Sequence, residues 1–240
     1  MIKAALFDYG GTIVTSIGPD IMPFVVEGAK HAHAYLRKTN PDAPNFNAFY
    51  QAAANALQSA FMGVMGTPNE LQAGEVMEEL LADLDIFLSP EQFREFTRAW
   101  HIPFKQKTAL LEGAKECLQA LRSQGMKTAV ISNTIWPRHL FDEEMKRLSI
   151  DGCFDCVVTS SEFGTKKPYP EIFEHTLAKL GVEAIDAVFV GDSLKEDVAG
   201  ASMVGMKTIL LDWKKEELPG VTPDAKINAL AELPGAIAKL

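Results

Sequence analysis

Four short segments carry residue types that could do chemistry together. The first is Leu6-Phe7-Asp8-Tyr9-Gly10-Gly11-Thr12, an acid after an apolar run and before two glycines. The second is Val130-Ile131-Ser132-Asn133-Thr134, which ends an apolar run in a hydroxyl. The third, Gly164-Thr165-Lys166-Lys167-Pro168, supplies an amine, and the fourth, Val190-Gly191-Asp192-Ser193-Leu194-Lys195-Glu196-Asp197, supplies two further acids. Two carboxylates such as Asp8 and Asp192, brought face to face, repel unless a cation lies between them. A donor set of oxygens alone suits Mg²⁺, which takes one or two carboxylates and keeps room for substrate phosphate. A carboxylate beside a metal and a lysine can attack phosphorus and form an aspartyl-phosphate. Lys167 and the metal would then neutralise the transferring group. Ser132 and the backbone amides around Gly10, Gly11 and Asn133 would hydrogen-bond its other oxygens.

These segments converge only if the chain places them on one edge. Short apolar runs occur at Ile2–Phe7, Thr128–Ile131, Cys156–Val158, Ala187–Val190 and Thr208–Leu211, each the length of a buried strand. Helical patterns fall between the later runs: Ala114–Gln124 before Gly125, Glu171–Leu180 before Gly181, and Lys195–Val204 before Gly205. A glycine just past a helix supplies the left-handed residue its end favours. Strands alternating with helices predict an α/β fold, a doubly wound parallel Rossmann-like sheet. In such sheets the strand ends meet at one crevice.

The stretch after the first strand differs. Apolar residues recur at helical spacing in Ile21–Leu36, Phe46–Met62, Leu71–Leu84 and Phe93–Trp100. Thr67-Pro68-Asn69-Glu70 and Ser89-Pro90-Glu91-Gln92 both read as helix starts, with a capping hydroxyl, proline at N1 and an acid or amide at N3. About 90 residues of helix are too long for a loop. The expected organisation is a discontinuous α/β core at 1–14 and 108–240, with an all-helical domain at 15–107 over the carboxyl ends of the strands.

With the residues in that order, the sequence resembles the haloacid dehalogenase superfamily of hydrolases. The likeness rests on an aspartate, a serine, a lysine and a metal-binding acid pair at successive strand ends. It implies Asp8 as nucleophile and Mg²⁺ ligand, with a further ligand from the Gly10 carbonyl. It implies Asp192 and Asp197 as metal ligands, and Ser132 and Lys167 as phosphate holders, beside Asn133 and Gly11. The helical insertion looks like the family's cap. The activity implied is a Mg²⁺-dependent phosphatase acting on a small phosphorylated metabolite. One departure matters: the family's phosphatases carry a general acid two residues after the nucleophile, and here that position is Gly10. Alternatives are therefore a 2-haloacid dehalogenase-type or phosphonate hydrolase, or a binding or regulatory module of low activity. A phosphonate hydrolase needs a cap lysine, for which Lys30 and Lys38 are candidates. The retained pair Asp192 and Asp197 favours the metal-dependent reaction.

Composition narrows the partners. The 240 residues hold 23 Lys+Arg against 32 Asp+Glu, a formal net charge of -9. An acidic surface argues against a nucleic-acid backbone as partner. No apolar run reaches the ~18 residues a membrane helix needs, and the N-terminal segment lacks the pattern of a signal peptide. Three cysteines, an odd count, fit a reduced cytoplasmic protein, monomeric or homodimeric. Cys153 and Cys156 form a CxxC pair with no partner pair, and are expected to be buried thiols. Trp136, Arg138, His139, Arg37, Arg94, Arg98 and His101 are weaker candidates for substrate contact, equally suited to packing or surface roles.

Overall fold

Each of the five apolar runs forms a strand in the computed structural model of the chain, which describes residues 1–15, 18 and 20–240. The strands are β1 (Ala4–Phe7), β2 (Lys127–Ser132), β3 (Cys156–Thr159), β4 (Ala187–Gly191) and β5 (Lys207–Leu211). A sixth, β6 (Ala225–Ile227), adds at the edge. It is three residues long with a central lysine, so it leaves no apolar run to read. The sheet runs β3-β2-β1-β4-β5-β6 and every pair is parallel. Sequence order reverses between β1 and β4, which makes their carboxyl ends the switch point where doubly wound sheets open a crevice. Asp8 lies there: its N–H donates to the Val190 carbonyl at 2.9 Å, extending the ladder one residue past Phe7.

The helices are α1 (Met22–Thr39), α2 (Phe46–Val64), α3 (Ala73–Asp83), α4 (Pro90–Lys107), α5 (Ala114–Ser123), α6 (Arg138–Arg147), α7 (Ser160–Phe163), α8 (Pro170–Leu180), α9 (Gly200–Met203) and α10 (Leu233–Ile237). Two compact units result. One comprises Met1–Ser16, Ala109–Thr134 and Asp142–Leu240, and the other Ile17–Thr108 with Ile135–Phe141. Residues 16, 17 and 19, within the expected helical domain, lie outside the described residues.

The α/β unit is built on fully buried β1 and β4, as a parallel sheet covered on both faces requires. Phe173 of α8 meets Phe189 of β4 edge to face at 5.2 Å, in a core with Leu6, Ile131 and Met206. The two chain crossings to the helical unit are tied together: Thr15 N–H donates to Ala109 carbonyl at 2.8 Å, and Leu111 N–H to Ile13 carbonyl at 2.9 Å.

In the helical unit, Phe49, Phe96 and Trp100 form the centre, with Ala29, Leu36, Met77 and Leu80 around them. Gly28 permits α1 to approach α4, since a Cβ there would lie 2.3 Å from the Trp100 carbonyl oxygen. The Ser89 start forms as expected: Ser89 Oγ accepts from Gln92 N–H at 3.2 Å and Gln92 Oε1 from Ser89 N–H at 2.9 Å. The Thr67 start does not. Thr67 Oγ1 accepts from Asn69 N–H at 3.2 Å, a local turn bond that competes with a helix cap, and α3 begins at Ala73 instead. Arg37 donates to the Pro41 and Ala43 carbonyls, closing the end of α1. Arg98 pairs with Glu95. Trp136 packs on His101 at 4.8 Å and Phe104 at 4.9 Å, and His139 Nε2 lies 3.2 Å from Thr97 Oγ1. These side chains are thus engaged within the helical unit.

Candidate active site

The site assembles from four strand ends. Asp8 follows β1, and Asp192 follows β4 beside it. Asp197 arrives through a turn of π-helix at Leu194–Ala199, a wide turn often found at functional sites. Ser193 Oγ caps that turn by accepting from Glu196 N–H at 3.1 Å, and Asp197 Oδ2 reaches back to accept from Ser193 N–H at 3.0 Å. The carboxylate lies against the strand end because residue 191 is glycine; a Cβ there would lie 2.2 Å from Asp197 Oδ2.

Lys167 comes from the far side of the sheet. After β3 and the short α7, Gly164 turns the chain with a φ of 92°, and Lys167 precedes α8. Asn133, one residue past β2, fixes this loop. Its Oδ1 accepts from Lys167 N–H at 2.8 Å and its Nδ2 donates to the Lys167 carbonyl at 3.0 Å. The Asn133 side chain is therefore engaged with the protein itself, and its Nδ2 also donates to Glu196 Oε2 at 3.2 Å. Lys166 stays half-buried, whereas Lys167 is only 1% exposed.

Lys167 Nζ donates to Asp8 Oδ1 and to Asp197 Oδ1, both at 2.7 Å. Burial disfavours the ammonium, but the Asp197 and Asp8 carboxylates outweigh it and hold Lys167 above its ordinary range. The acids answer differently. Burial pushes the Asp197 carboxyl up despite the ammonium of Lys167. Burial and then the charge of Asp8 raise Asp192. Three clustered carboxylates are thus only partly compensated by lysine.

The donor set fits a hard divalent cation. One carboxylate oxygen each from Asp8, Asp192 and Asp197 lie within 4.8 Å of one another. Asp8 Oδ2 and Asp192 Oδ2 are buried with no hydrogen-bond donor among the described residues. Buried carboxylate oxygens without donors are costly, and a cation coordinated by oxygen would satisfy them. Gly11 has a φ of 89°, and a Cβ on it would lie 2.3 Å from Asp192 Oδ2, so only glycine leaves that carboxylate in place. Gly10 is exposed, with nothing within 4 Å of the point where a Cβ would stand. Ser132 closes β2 on the same edge and is 5% exposed.

Three residues near this cluster were not anticipated. Tyr9 donates its hydroxyl to Glu144 Oε1 at 3.0 Å, and burial followed by that acid's charge raises its phenol. Trp213 Nε1 donates to the Gly11 carbonyl at 3.0 Å. Lys214 Nζ lies 2.9 Å from Asp192 Oδ2 as an ion pair. Trp213 and Lys214 follow β5, and applying the strand-end rule to the fifth strand as well as the others would have found them. The cysteine pair contributes nothing here. Cys153 is buried and Cys156 half-buried, no disulfide joins them, and burial raises Cys153. Lys30 and Lys38 are exposed, and Lys30 pairs with Glu27 at 2.9 Å.

Known proteins resemble this chain in sequence and fold. A ribulose-1,5-bisphosphate 5-phosphatase from Halopiger xanaduensis is 36% identical over 118 residues, covering 49% of this chain and 48% of that protein. A glyceraldehyde 3-phosphate phosphatase from Pyrococcus abyssi is 34% identical over 136 residues, covering 57% and 56%. The chain spans about half the length of these relatives. Among solved structures, a HAD phosphatase from Thermococcus onnurineus superposes with a TM-score of 0.64 at 26% identity over 98% of both chains. A 2-haloacid dehalogenase from Pseudomonas syringae reaches 0.69 at 22% identity over 100% and 99%, a likeness of fold. The model of the haloacid dehalogenase-like hydrolases matches residues 2–205. With that match covering most of its length, the chain belongs to the haloacid dehalogenase-like hydrolase family.

Proposed function

We infer that the protein is a Mg²⁺-dependent phosphatase acting on a small phosphorylated metabolite, with Asp8 as nucleophile. One observation carries this reading: Lys167 holds one oxygen of Asp8, while the other oxygen is buried without a donor beside two more carboxylates. Asp8, Asp192 and Asp197 would hold the cation, with the Gly10 carbonyl as a further ligand. When bound, Mg²⁺ supplies positive charge for the phosphoryl oxygens.

The residues themselves divide the remaining work. Asp8 attacks phosphorus, a new P–O bond forms, and the bond to the leaving alkoxide breaks. The Lys167 ammonium holds Asp8 in place, and lies where negative charge collects on the transferring group. Ser132 and the amides around Gly11 and Asn133 donate to its oxygens. Water then cleaves the acyl-phosphate, returning Asp8. No side chain at Gly10 protonates the alkoxide, so substrates with a good leaving group react fastest.

The phosphatases among its relatives support this reading over a dehalogenase, and the exposure of Lys30 and Lys38 weighs against a phosphonate hydrolase, whose Schiff-base lysine must be desolvated. Cysteines outside any disulfide fit a cytoplasmic setting, and among the described residues no helix is long and apolar enough to cross a membrane. The test is hydrolysis of p-nitrophenyl phosphate with Mg²⁺ and with chelator. Asp8→Asn should lose at least ~10³-fold in kcat while keeping its melting curve. Activity that survives both chelator and Asp8→Asn would overturn the reading.

A further inference from the structure

The segment after β5 carries two adjacent lysines that face opposite ways. Lys215 turns outward: its Nζ lies 3.7 Å from Asp212 Oδ2 and donates to Asn228 Oδ1 at 2.9 Å. Lys226, on β6, also leans on Asp212, at 3.2 Å. Lys214 turns inward instead. Its ammonium lies 2.9 Å from Asp192 Oδ2, with the lysine side chain 29% exposed and the aspartate side chain 5%. The preceding residue, Trp213, is fastened to Gly11 through its indole N–H, and the Lys214 ammonium stands 5.2 Å from that ring. One short segment thus touches the site at two points, the Gly11 carbonyl and the Asp192 carboxylate.

The Lys214 ammonium is thus a counter-charge in direct contact with Asp192 Oδ2. A divalent cation shared by Asp8, Asp192 and Asp197 draws on the same carboxylate. A protein ammonium and a metal ion held on one aspartate repel each other strongly in a partly buried site. The lysine has a long flexible stem and a partly open path to water, so it is the cation that can leave.

We propose that Lys214 is an internal counter-ion that competes with the divalent cation for Asp192, so that metal binding releases the lysine from the carboxylate. The proposal rests on the reading of the three aspartates as a Mg²⁺ site. Lys214 then offsets the charge of the acid cluster in the chelator-stripped protein and sets the metal affinity below what three carboxylates alone would give. Trp213 stays on Gly11 as the fixed point about which Lys214 exchanges.

The experiment is calorimetric titration of Mg²⁺ alone into the chelator-stripped full chain, comparing wild type, Lys214→Met and Lys214→Arg. A partly exposed ion pair of this kind predicts that Lys214→Met binds Mg²⁺ about fivefold more tightly. Lys214→Arg, which keeps the charge, should stay within about twofold of wild type. The metal-free melting temperature should fall in Lys214→Met more than the Mg²⁺-saturated one. Unchanged or weaker Mg²⁺ binding in Lys214→Met, with a raised KM for p-nitrophenyl phosphate, would overturn the proposal and make Lys214 a substrate contact. If neither wild type nor variant binds Mg²⁺, the metal reading fails and the proposal with it.

Discussion

Gly11 and Asp192 contend for one space: a Cβ on Gly11 would stand 2.3 Å from Asp192 Oδ2. The glycine also holds a φ of 89°, a backbone state that costs other residues ~1–2 kcal/mol. Gly11→Ala therefore adds strain and pushes Asp192 out of the acid cluster. The expected outcome is a melting temperature lower by about 2–8 °C, with Mg²⁺ binding weakened by calorimetry. A variant that melts and binds like wild type would show that the loop relaxes freely.

Gly10 presents the opposite case. Nothing lies within 4 Å of its absent Cβ, and its φ is not left-handed, so a side chain fits without cost. Gly10→Asp places a carboxyl two residues after Asp8, where it can protonate a leaving alkoxide. General acid help predicts a kcat gain of ~10²-fold or more on alkyl phosphates, and a smaller gain on p-nitrophenyl phosphate, whose leaving group needs little protonation. Equal rates for both proteins on alkyl phosphates would mean that another group already serves.

Lys167 is the counter-charge for two buried carboxylates at 2.7 Å each. Removing one partner of a buried pair leaves uncompensated charge, a loss of about 3–5 kcal/mol. Lys167→Met should be that much less stable at neutral pH by urea unfolding, and inactive. The pH dependence separates charge from packing. Burial already raises the Asp197 carboxyl to about 7, and without the ammonium the folded state favours its protonation still more over the unfolded chain. The added penalty is then present above the folded pKa and relieved as pH falls. The deficit should shrink as pH falls from about 9 to about 7; a deficit that is constant with pH would point to lost packing alone.

The parallel sheet and the place of its acids were legible because both leave strong local marks. β1, β2, β4 and β5 are continuous apolar runs, and Asp8, Ser132 and Asp192 stand where those runs stop. The switch point between β1 and β4 follows from the order of such units, and it is what brings Asp8 beside Asp192. What escaped reading has no local signature. β6 is too short to show a period. Thr67 carries the same cap pattern as Ser89, but its hydroxyl finds Asn69 first. Asn133 fits a phosphate-binding position, yet its side chain is spent on a loop 34 residues away, a pairing only tertiary structure decides. Lys214 is one of two adjacent lysines, and which of them turns inward depends on Asp212 holding the other.

Asp224 ties β6 to β5 and gives the fold a predictable acid limb. Its Oδ2 accepts from Thr208 N–H at 2.9 Å, and its Oδ1 lies 2.6 Å from Lys207 Nζ. Burial alone would raise this carboxyl, but the lysine and the threonine donors hold it below the ordinary carboxylate range. A carboxyl depressed in the folded state stabilises the protein above its unfolded pKa, near ~4, and that stability is lost as pH falls through the folded value. Asp224→Asn should therefore cost roughly 1 kcal/mol at neutral pH. The gap between variant and wild type should close as pH drops below ~4, because the wild-type carboxyl becomes protonated there. Thermal melts of both chains across pH 3 to 7 measure it, and a gap that persists unchanged at the acid end would show that Asp224 acts through geometry and not through its charge.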